Sequence, residues 1–528
     1  MSVKDPILED LISVLGKEYV SNDPAIRVPY SRDQTSSAWD KFRYPDYVVL
    51  PESTEEIQRI VTIANKYKIS IIPWTTGANV AGKTIPIAGG IQMEFKRMNK
   101  LEIDEETMSA TVEPYVPILR LQAEAKKKGL RTDLPGAPSS VGVISNFCTT
   151  KGFHFHSNKY GWGADKIIGL EMVLPTGEIL RTGHLARDLN GAEIVAANSL
   201  GMDLNGLPYN SFGTFGIVTK MSIKLYPRAD PAASRKTEKA LKPHLDKFLL
   251  FATFAKFENA VKAYAECAKL ELGIGQGCAG PAYWTSCLPV GTRQEMLSIL
   301  EKVYTMGILE WVEIEGTPRQ VEYQKKKVKE IFKKYKADFT AGTLLSALLN
   351  ASDEELPKII ENIKKIFNVE AKFPLYWVNR SRDLFDFSET PTRAFAIVGG
   401  LHMREVTNTA KNYLEQYKIW KGICEKYGYQ GADTGLWSMF VSTNGPYNWV
   451  SELDVLWDPQ NKKSKTIKSN ISKALLPEYL KLGNYHHDSH SKEWDKLGPQ
   501  YGVQYEIVKR MKRLFDPNNI MHRGILYP

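Results

Sequence analysis

The sequence is poor in cysteine, with five in 528 residues and no C-x-x-C pair. An odd number of isolated cysteines argues against a disulfide framework, an iron–sulfur cluster or a structural zinc site. The chain also lacks any uninterrupted apolar run of about eighteen residues, the length that a membrane-spanning helix requires. Residues 1–16 show no basic segment followed by a long apolar run, so no secretory signal is recognised and a cytoplasmic protein is expected.

Charge of one sign is not concentrated in any part of the chain. The 69 basic and 60 acidic residues are dispersed and leave a formal net charge of +9. Nucleic-acid binding is not expected, because neither a basic stripe nor a recognition motif is present. A mild positive field favours an anionic substrate or an acidic redox partner.

The first third of the chain alternates between strand and helix patterns. Tyr47 to Leu50 predicts a strand, and Ser53 followed three residues later by Glu56 predicts a helix capping box. A second strand is predicted at Ser70 to Pro73, which leads into a loop of mostly small residues. A further unit follows in the same style; its predicted elements are a strand at Ala110 to Glu113, a helix at Pro117 to Lys128, and strands at Ile167 to Leu174 and Ile179 to Thr182.

Three loops of small residues lie at strand ends in this region, at Thr75 to Asn79, Pro138 to Asn146 and Gly213 to Val218. Small side chains allow backbone N–H groups to approach an anion closely. No G-x-G-x-x-G follows the first strand, so the common dinucleotide-binding unit is not indicated. The loops together predict a site for an extended cofactor, with the first loop at the pyrophosphate.

After Pro227 the pattern changes, and we predict three segments: residues 1–228 form a cofactor domain, 229–480 form a cap, and 481–528 return to the first domain. The cap is predicted as helices over a sheet, and the overall fold class as α+β. The segment predicted as the cap shows helical periods at Leu297 to Thr305, Val321 to Lys334 and Thr407 to Tyr427, and a strand-like run at Ala394 to Val398. A last helix is predicted at Tyr505 to Leu514.

Several motifs occur in the order found in one known family. They are PDYVVLPESTEEIQRIV, IIPWTTGANVAGKTIP, ATVEPYV, GLEMVLPTGEILRTG and FGTFGIVTK, with the C-terminal segment FDPNNIMHRG. In these motifs the chain resembles the vanillyl-alcohol oxidase and p-cresol methylhydroxylase superfamily. The resemblance implies a PCMH-type FAD-binding domain of two α+β subdomains with an α+β cap over the flavin.

The resemblance also implies where FAD would lie. Its pyrophosphate would rest on the first loop, its isoalloxazine edge would meet the second, and its adenine side would meet backbone of the third. The residues implied are Trp74, Thr75, Thr76, Gly77, Ala78 and Asn79 in the first loop, Pro138, Ser139, Gly142, Val143 and Asn146 in the second, and Gly216, Ile217 and Val218 in the third. Family members transfer a hydride to flavin N5 and pass the electrons to oxygen, a quinone or an acceptor protein.

The catalytic candidates lie near the C-terminus, in GNYHHDSH. Phenol-oxidising relatives carry a Tyr-Arg pair there, whereas this chain has Tyr485 followed by His486, so a phenolate site is incomplete. His486, His487 and His490 are candidates for taking a substrate hydroxyl proton, because a neutral imidazole is available near pH 7. With Asp488 they also form a candidate divalent-metal site, and a polar surface loop is the alternative.

Further candidates lie on the substrate side of the flavin. His154 and His156 alternate with aromatic residues, and a strand would place both on one face. His402, after two glycines in the cap, is a candidate for covalent flavin attachment or substrate contact. Arg393 is a candidate for meeting an anionic substrate, and a solvated arginine is the alternative.

Four functions stay open on this sequence. The leading one is an FAD-linked dehydrogenase or oxidase acting on an alcohol, a hydroxy acid or a benzylic C–H bond. The others are oxidation of a para-alkylphenol, a redox-neutral reaction like that of alkyl-dihydroxyacetonephosphate synthase, and a non-enzymatic electron-transfer subunit. The family resemblance further implies a homodimer or a place in a redox complex.

Overall fold

The structure is a computed structural model of the chain. It describes residues 5–31, 33, 42–77, 79, 82–133, 140–150, 152–186, 201–231, 245–280, 307–340, 342–343, 346–347, 354–367, 400–402, 405–429, 438–443, 445, 448–453, 455–457, 461–483 and 498–526. No helix within these ranges is long and apolar enough to cross a membrane.

The first sheet belongs to the N-terminal part of the chain. Its strands are β1 (Val20–Ser21), β2 (Tyr47–Val49), β3 (Ile71–Trp74) and β4 (Ile91–Glu94), in the order β1-β2-β4-β3. The helices around it are α1 (Pro6–Leu15), α2 (Pro24–Arg27) and α3 (Thr54–Tyr67). β2 and β3 each pair parallel with β4, and α3 is the crossover that connects β2 to β3. Ser53 caps α3 by accepting from the N–H of Glu56, as its sequence predicts.

The second sheet is antiparallel throughout. Its strands are β5 (Leu101–Asp104), β6 (Ser109–Val112), β8 (Ile167–Val173), β9 (Ile179–Arg181) and β10 (Ile217–Lys224), in the order β5-β6-β10-β8-β9. Helix α4 (Ile118–Lys127) contributes its apolar face to the core of this sheet, and β7 (Leu130–Arg131) pairs with β11 (Tyr226–Pro227). A short helix, α5 (Ser157–Tyr160), precedes β8.

The cap is built on a seven-stranded sheet in the order β12-β13-β15-β14-β18-β19-β17. These strands are β12 (Asp230–Pro231), β13 (Asp246–Phe254), β14 (Gly275–Ala279), β15 (Ile308–Gly316), β17 (Glu405–Asn408), β18 (Ser438–Thr443) and β19 (Asn448–Leu453), while β16 (Gly400–His402) pairs with β20 (Val455–Trp457). The cap helices are α6 (Phe257–Lys269), α7 (Pro318–Lys334), α8 (Leu356–Phe367), α9 (Ala410–Lys426) and α10 (Lys462–Lys481). Alternate residues of β13 and β15, such as Leu250 and Val312, share a core with α6, α7 and α9, which leaves the other sheet face toward the first domain.

The last helix, α11 (Val503–Phe515), leads the chain back to the first sheet. The N–H of Ile71 donates to the carbonyl of Ile520 at 2.7 Å, and that of His522 donates to the carbonyl of Ile71 at 2.8 Å. The C-terminal segment therefore lies directly beside β3, whose end begins the first small-residue loop.

Most predicted elements within the described ranges are confirmed, with end shifts of one to three residues. One prediction is wrong: His154 and His156 do not share a strand, because residues 155 and 156 form a turn that leads into α5. The predicted helix at Leu297 to Thr305 and the strand-like run at Ala394 to Val398 lie outside the described residues. The three-segment division of the chain stays a prediction.

Candidate functional site

A cleft lies where β3 ends and β10 begins. All three loops that the sequence singles out contribute to its walls. The lining includes Thr75 and Asn79 from the first loop, Ile144 and Ser145 from the second, and Gly213, Gly216, Ile217 and Val218 from the third. Residues far apart in the chain thus border one cavity.

Two glycines of the third loop allow this close approach of the walls. Gly213 and Gly216 have φ angles of +80° and +140°, which residues with a side chain adopt only with strain. A Cβ on Gly213 would lie 2.6 Å from Cγ of Pro73, and one on Gly216 would lie 2.6 Å from the carbonyl oxygen of Val173. Only glycine fits either position without moving the neighbouring strand.

The first and second loops touch each other. The Thr75 hydroxyl donates to Oγ of Ser145 at 3.4 Å, and a Cβ on Gly142 would lie 3.2 Å from Oγ1 of Thr75. The side-chain oxygen of Asn79 accepts from the backbone N–H of Lys83 at 3.1 Å, which closes the first loop on itself.

Lys83 supplies a positive charge to the lining of the cleft. Its side chain is buried, and Nζ lies 4.4 Å from the centroid of the Phe212 ring, which also lines the cleft. An ammonium group in such an enclosed position favours an anionic ligand, because little water screens the charge.

His522 contributes a polar atom of a different kind. The ring is 2% exposed, and Nδ1 lies 2.5 Å from the carbonyl oxygen of Phe212, so Nδ1 carries the hydrogen. Burial lowers the pKa of His522 to about 4, and the imidazole is therefore neutral at pH 7. Its Nε2 has no hydrogen-bond partner in the described part of the chain, although the residue lines the cleft.

These features fit FAD. The cation of Lys83 suits the pyrophosphate, and the closely spaced loops suit a long, thin ligand. The unpartnered Nε2 of His522 fits as well, because a buried acceptor of this kind is normally satisfied by a ligand or water.

Other residues predicted to contact the cofactor lie near the cleft without lining it. Trp74 ends β3 and packs edge-on against Tyr30, with 5.1 Å between ring centroids. Thr76 and Gly77 follow in the same loop, and Gly77 has a φ of +71°. Val143 is buried in the core of the second sheet, and its N–H donates to the carbonyl of Val116.

A buried charged network surrounds Asp133, just after β7. Its carboxylate lies 3.2 Å from Nδ1 of His154, 2.6 Å from Nδ1 of His156 and 2.6 Å from Nζ of Lys166. Nε2 of His154 lies 2.9 Å from Oδ1 of Asn146, a residue of the second loop. The two histidines predicted on the substrate side therefore share one carboxylate.

The two histidines carry different charges. Burial lowers the pKa of His154 to about 4 in spite of Asp133, so this ring is neutral at pH 7. Burial also disfavours the charged form of His156, but the carboxylates of Glu313 and Asp133 prevail and raise the pKa of His156 to about 9. Burial opposes ionisation of Asp133 as well, yet Lys166 and the histidines hold its pKa well below the usual range.

The network continues into the cap. Nε2 of His156 lies 2.9 Å from Glu313 on β15, and Nζ of Lys247 on β13 lies 2.5 Å from the same carboxylate. Arg131 lies 3.1 Å from Glu315. All five side chains are buried, and the ion pairs connect Arg131 on β7 and His156 before α5 to the face of the seven-stranded sheet that the helices leave uncovered.

The remaining predicted site residues lie outside what the structure describes. They are Ala78, Pro138, Ser139, Arg393, Tyr485, His486, His487 and His490. The backbone of His402 ends β16 and pairs with Val455. In the described part of the chain, no group of three or more His, Cys, Asp or Glu side chains is placed to hold a metal ion.

Lys83 and His522 in the cleft and Asp133 and Lys166 in the network are among the residues that the sequence does not predict. Lys83 and His522 both lie inside motifs that carry the family resemblance, GANVAGKTIP and FDPNNIMHRG, and a charged or imidazole group in such a motif is a usable signal. Asp133 and Lys166 carry none, because their partners are brought to them only by the fold.

Comparisons with known proteins identify relatives of this chain. Residues 45–183 match the family of FAD-binding domains. The chain is 34% identical, over 519 residues that cover 97% of both chains, to an uncharacterised FAD-linked oxidoreductase of Mycobacterium tuberculosis. It is 38% identical over 255 residues to the glycolate oxidase subunit GlcD of Bacillus subtilis; this match covers 47% of the chain and 49% of the relative.

Solved structures share the whole fold. The chain superimposes on substrate-bound p-cresol methylhydroxylase with a TM-score of 0.75 and 21% identity, covering 98% of this chain and 96% of the other. The 4-ethylphenol oxidase of Gulosibacter chungangensis gives a TM-score of 0.75 and 20% identity, covering 99% and 97%.

Proposed function

This chain belongs to the family of FAD-linked oxidoreductases with the p-cresol methylhydroxylase fold, and we propose that it oxidises a small organic substrate by hydride removal from an alcohol, hydroxy-acid or benzylic C–H bond. The observation that carries the proposal is the cleft bordered by all three small-residue loops, with Lys83 and His522 in its lining.

Bound FAD supplies the hydride acceptor, flavin N5, and the route by which electrons leave. The chain's own residues bind and orient. Thr75, Asn79 and the backbone of their loop hold the pyrophosphate, and the Lys83 ammonium offsets its charge. Gly216, Ile217 and Val218, which line the cleft, would meet the adenine side with backbone atoms.

A hydroxy acid is the substrate class we favour. The relatives that match part of the chain include a glycolate oxidase subunit and a probable D-lactate dehydrogenase, and the chain's net charge of +9 favours an anionic substrate. His486 and His487 would take the hydroxyl proton as hydride leaves the adjoining carbon, and Tyr485 would contact the substrate.

Several further assignments belong to the same proposal. His490 with its neighbours would bind a divalent metal, His402 would attach the flavin or contact substrate, and Arg393 would meet a carboxylate. The electron acceptor would be a protein, a quinone or oxygen, and the protein would act in the cytoplasm as a homodimer or within a redox complex.

The test is an absorption spectrum of the purified protein, before and after acid precipitation. Flavin bands that stay in the supernatant indicate non-covalent FAD, whereas bands in the pellet indicate covalent attachment. Anaerobic mixing with D-lactate and glycolate is then expected to bleach the flavin. A colourless protein that takes up no added FAD would overturn the proposal.

Bleaching by other substrates separates the alternatives. Reduction by para-alkylphenols alone would assign phenol oxidation instead. Turnover of an acylated ketone phosphate without net flavin reduction would assign a redox-neutral reaction. A flavin that no panel member reduces, but that exchanges electrons with an acceptor protein, would assign an electron-transfer subunit.

Replacing Lys83 by methionine should weaken FAD binding about tenfold to a hundredfold, because a charge-assisted contact contributes about 1.5–3 kcal/mol. Titration of the apoprotein with FAD, followed by quenching of flavin fluorescence, measures this. Lys66→Met removes an exposed lysine, paired with Asp10, and should leave the affinity unchanged. Equal affinities for K83M and wild-type protein would remove Lys83 from the pyrophosphate site.

A further inference from the structure

One buried side-chain atom of the cleft lining, Nε2 of His522, has no hydrogen-bond partner among the described residues. No other lining residue in that part of the chain has such an atom. We propose that Nε2 of His522 accepts a hydrogen bond from a sugar hydroxyl of FAD that lies next to the pyrophosphate. This inference rests on the FAD site proposed above. His522 would thus be a binding residue for FAD.

The orientation of the ring makes Nε2 an acceptor. Nδ1 lies 2.5 Å from the carbonyl oxygen of Phe212, and a carbonyl can only accept, so the ring hydrogen is on Nδ1. In the neutral ring Nε2 then presents a lone pair. A phosphate oxygen also presents lone pairs and would be repelled, so the matching ligand group must be a donor.

The surroundings narrow the choice of donor. The ring of His522 lies beside Phe212, whose carbonyl oxygen accepts from Nδ1 and whose ring centroid lies 4.4 Å from Nζ of Lys83. Thr75 and Asn79, which are assigned to the pyrophosphate, line the same cleft as Lys83 and His522. On either side of the FAD pyrophosphate lies a hydroxyl-bearing group, the ribose of the adenosine half and the ribityl chain of the flavin half.

The position is held firmly enough to select a ligand. The ring is 2% exposed, and the neighbouring N–H groups of Ile520 and Met521 donate to the Asp516 carboxylate at 2.8 Å each. Lys512 further anchors this turn by donating to the carbonyl oxygens of Thr214 and Met521. A fixed acceptor loses little entropy on binding, and an unpaired one is costly, so the site favours a ligand with a hydroxyl there.

The experiment compares His522→Leu with His522→Gln, whose amide oxygen can replace the acceptor. For each protein the affinities for FAD, FMN and ADP are measured by calorimetry on apoprotein. H522L should bind FAD about fivefold to tenfold more weakly than wild type, and H522Q should recover most of the loss. Of FMN and ADP, the ligand that contains the contacting hydroxyl should also bind H522L more weakly than wild type. The other ligand should bind both proteins with the same affinity.

If H522L loses affinity for FAD and ADP but not for FMN, the contact is assigned to the ribose. In that case 2′-deoxy-ADP and 3′-deoxy-ADP identify the hydroxyl, because the analogue that lacks it should bind H522L and wild type with equal affinity. Loss for FAD and FMN, with ADP unchanged, assigns it to the ribityl chain. Equal weakening of all three ligands, or of none, overturns the proposal. If wild-type protein binds none of them, the FAD site itself fails, which is a separate outcome.

Discussion

Replacing Asp133 by asparagine should destabilise the protein by about 3–5 kcal/mol, which is the usual cost of removing one partner from a buried ion pair. The carboxylate is 1% exposed and lies within 3.2 Å of His154, His156 and Lys166. Asparagine has almost the same shape, so the change removes charge and leaves packing intact. In a thermal scan the unfolding midpoint should fall by roughly 3–5 °C. The shift equals the change in free energy divided by the entropy of unfolding, and this entropy is large in a long chain.

The charges of the network explain the size of this effect. Four cations face three carboxylates: they are Arg131, Lys166, Lys247 and protonated His156 on one side, and Asp133, Glu313 and Glu315 on the other. Without Asp133 the buried cations of this network outnumber its carboxylates by two. Water cannot compensate them, because every one of these side chains is buried.

The same network predicts how the stability of the wild-type protein depends on pH. The folded pKa of Asp133 is depressed, so its contribution is present above the ordinary carboxyl pKa of 3.8 and is lost as the pH falls from there toward the folded value. The folded pKa of His156 is raised from 6.5 to about 9, so its contribution is complete below pH 6.5 and is lost as the pH rises toward 9. D133N should show a weaker dependence over both ranges.

Asp10→Asn is the matched control for Asp133→Asn. Asp10 pairs with Lys66 at the surface, where water screens the charges, and the same substitution should not shift the unfolding midpoint measurably. If D133N unfolds at the wild-type temperature, the buried ion pairs of Asp133 do not stabilise the fold.

The elements that border the cleft could largely be predicted from the sequence, because they are specified locally. The cap of α3, the strand β3 and the small residues after it follow one another within a short stretch, and each leaves its own pattern. The glycines at 213 and 216 also indicate close approach in the sequence alone, since a positive φ is the usual reason for a glycine in a turn.

The charged network could not be predicted, because its members are distant in sequence. His156 and Glu313 are 157 positions apart, and neither position differs locally from a surface residue. The period-two pattern around His154 predicts a strand. In the structure residues 155 and 156 instead form a turn, and the rings of His154 and His156 both contact the carboxylate of Asp133. Tertiary contacts here override a local pattern.

Glu310 on β15 is the opposite case, a buried acid without an ion pair among the described residues. It is 0% exposed and lies on the helix-covered face of the cap sheet, opposite Cys278 and Ala252 on the neighbouring strands. Neither carboxyl oxygen has a hydrogen-bond partner in that part of the chain. Burial raises the pKa of Glu310 well above 4.5, so the folded protein holds this group in its protonated form.

Glu310→Met should therefore stabilise the protein, and by more as the pH rises. Because the folded pKa is raised, the wild-type protein loses about 1.4 kcal/mol of stability per pH unit between the ordinary carboxyl pKa and the folded value. Methionine of similar size removes this loss, so the gain from E310M should be larger near pH 8 than near pH 5, by roughly 1.4 kcal/mol for each pH unit over which the folded group keeps its proton. Denaturant unfolding at both pH values measures the difference.

Glu313→Gln provides the contrast on the same strand. Burial opposes ionisation of Glu313, but Lys247 and His156 lower its pKa, so the protein contains it as a paired carboxylate. E313Q should destabilise the protein at pH 8, where E310M stabilises it. The two carboxyl groups lie on opposite faces of β15. Glu310 is on the face that packs against the helices, and Glu313 is on the face that contacts the cations of the network. A gain from E310M that is the same at pH 5 and pH 8 would show that the effect is one of packing and that Glu310 does not hold a proton in the folded protein.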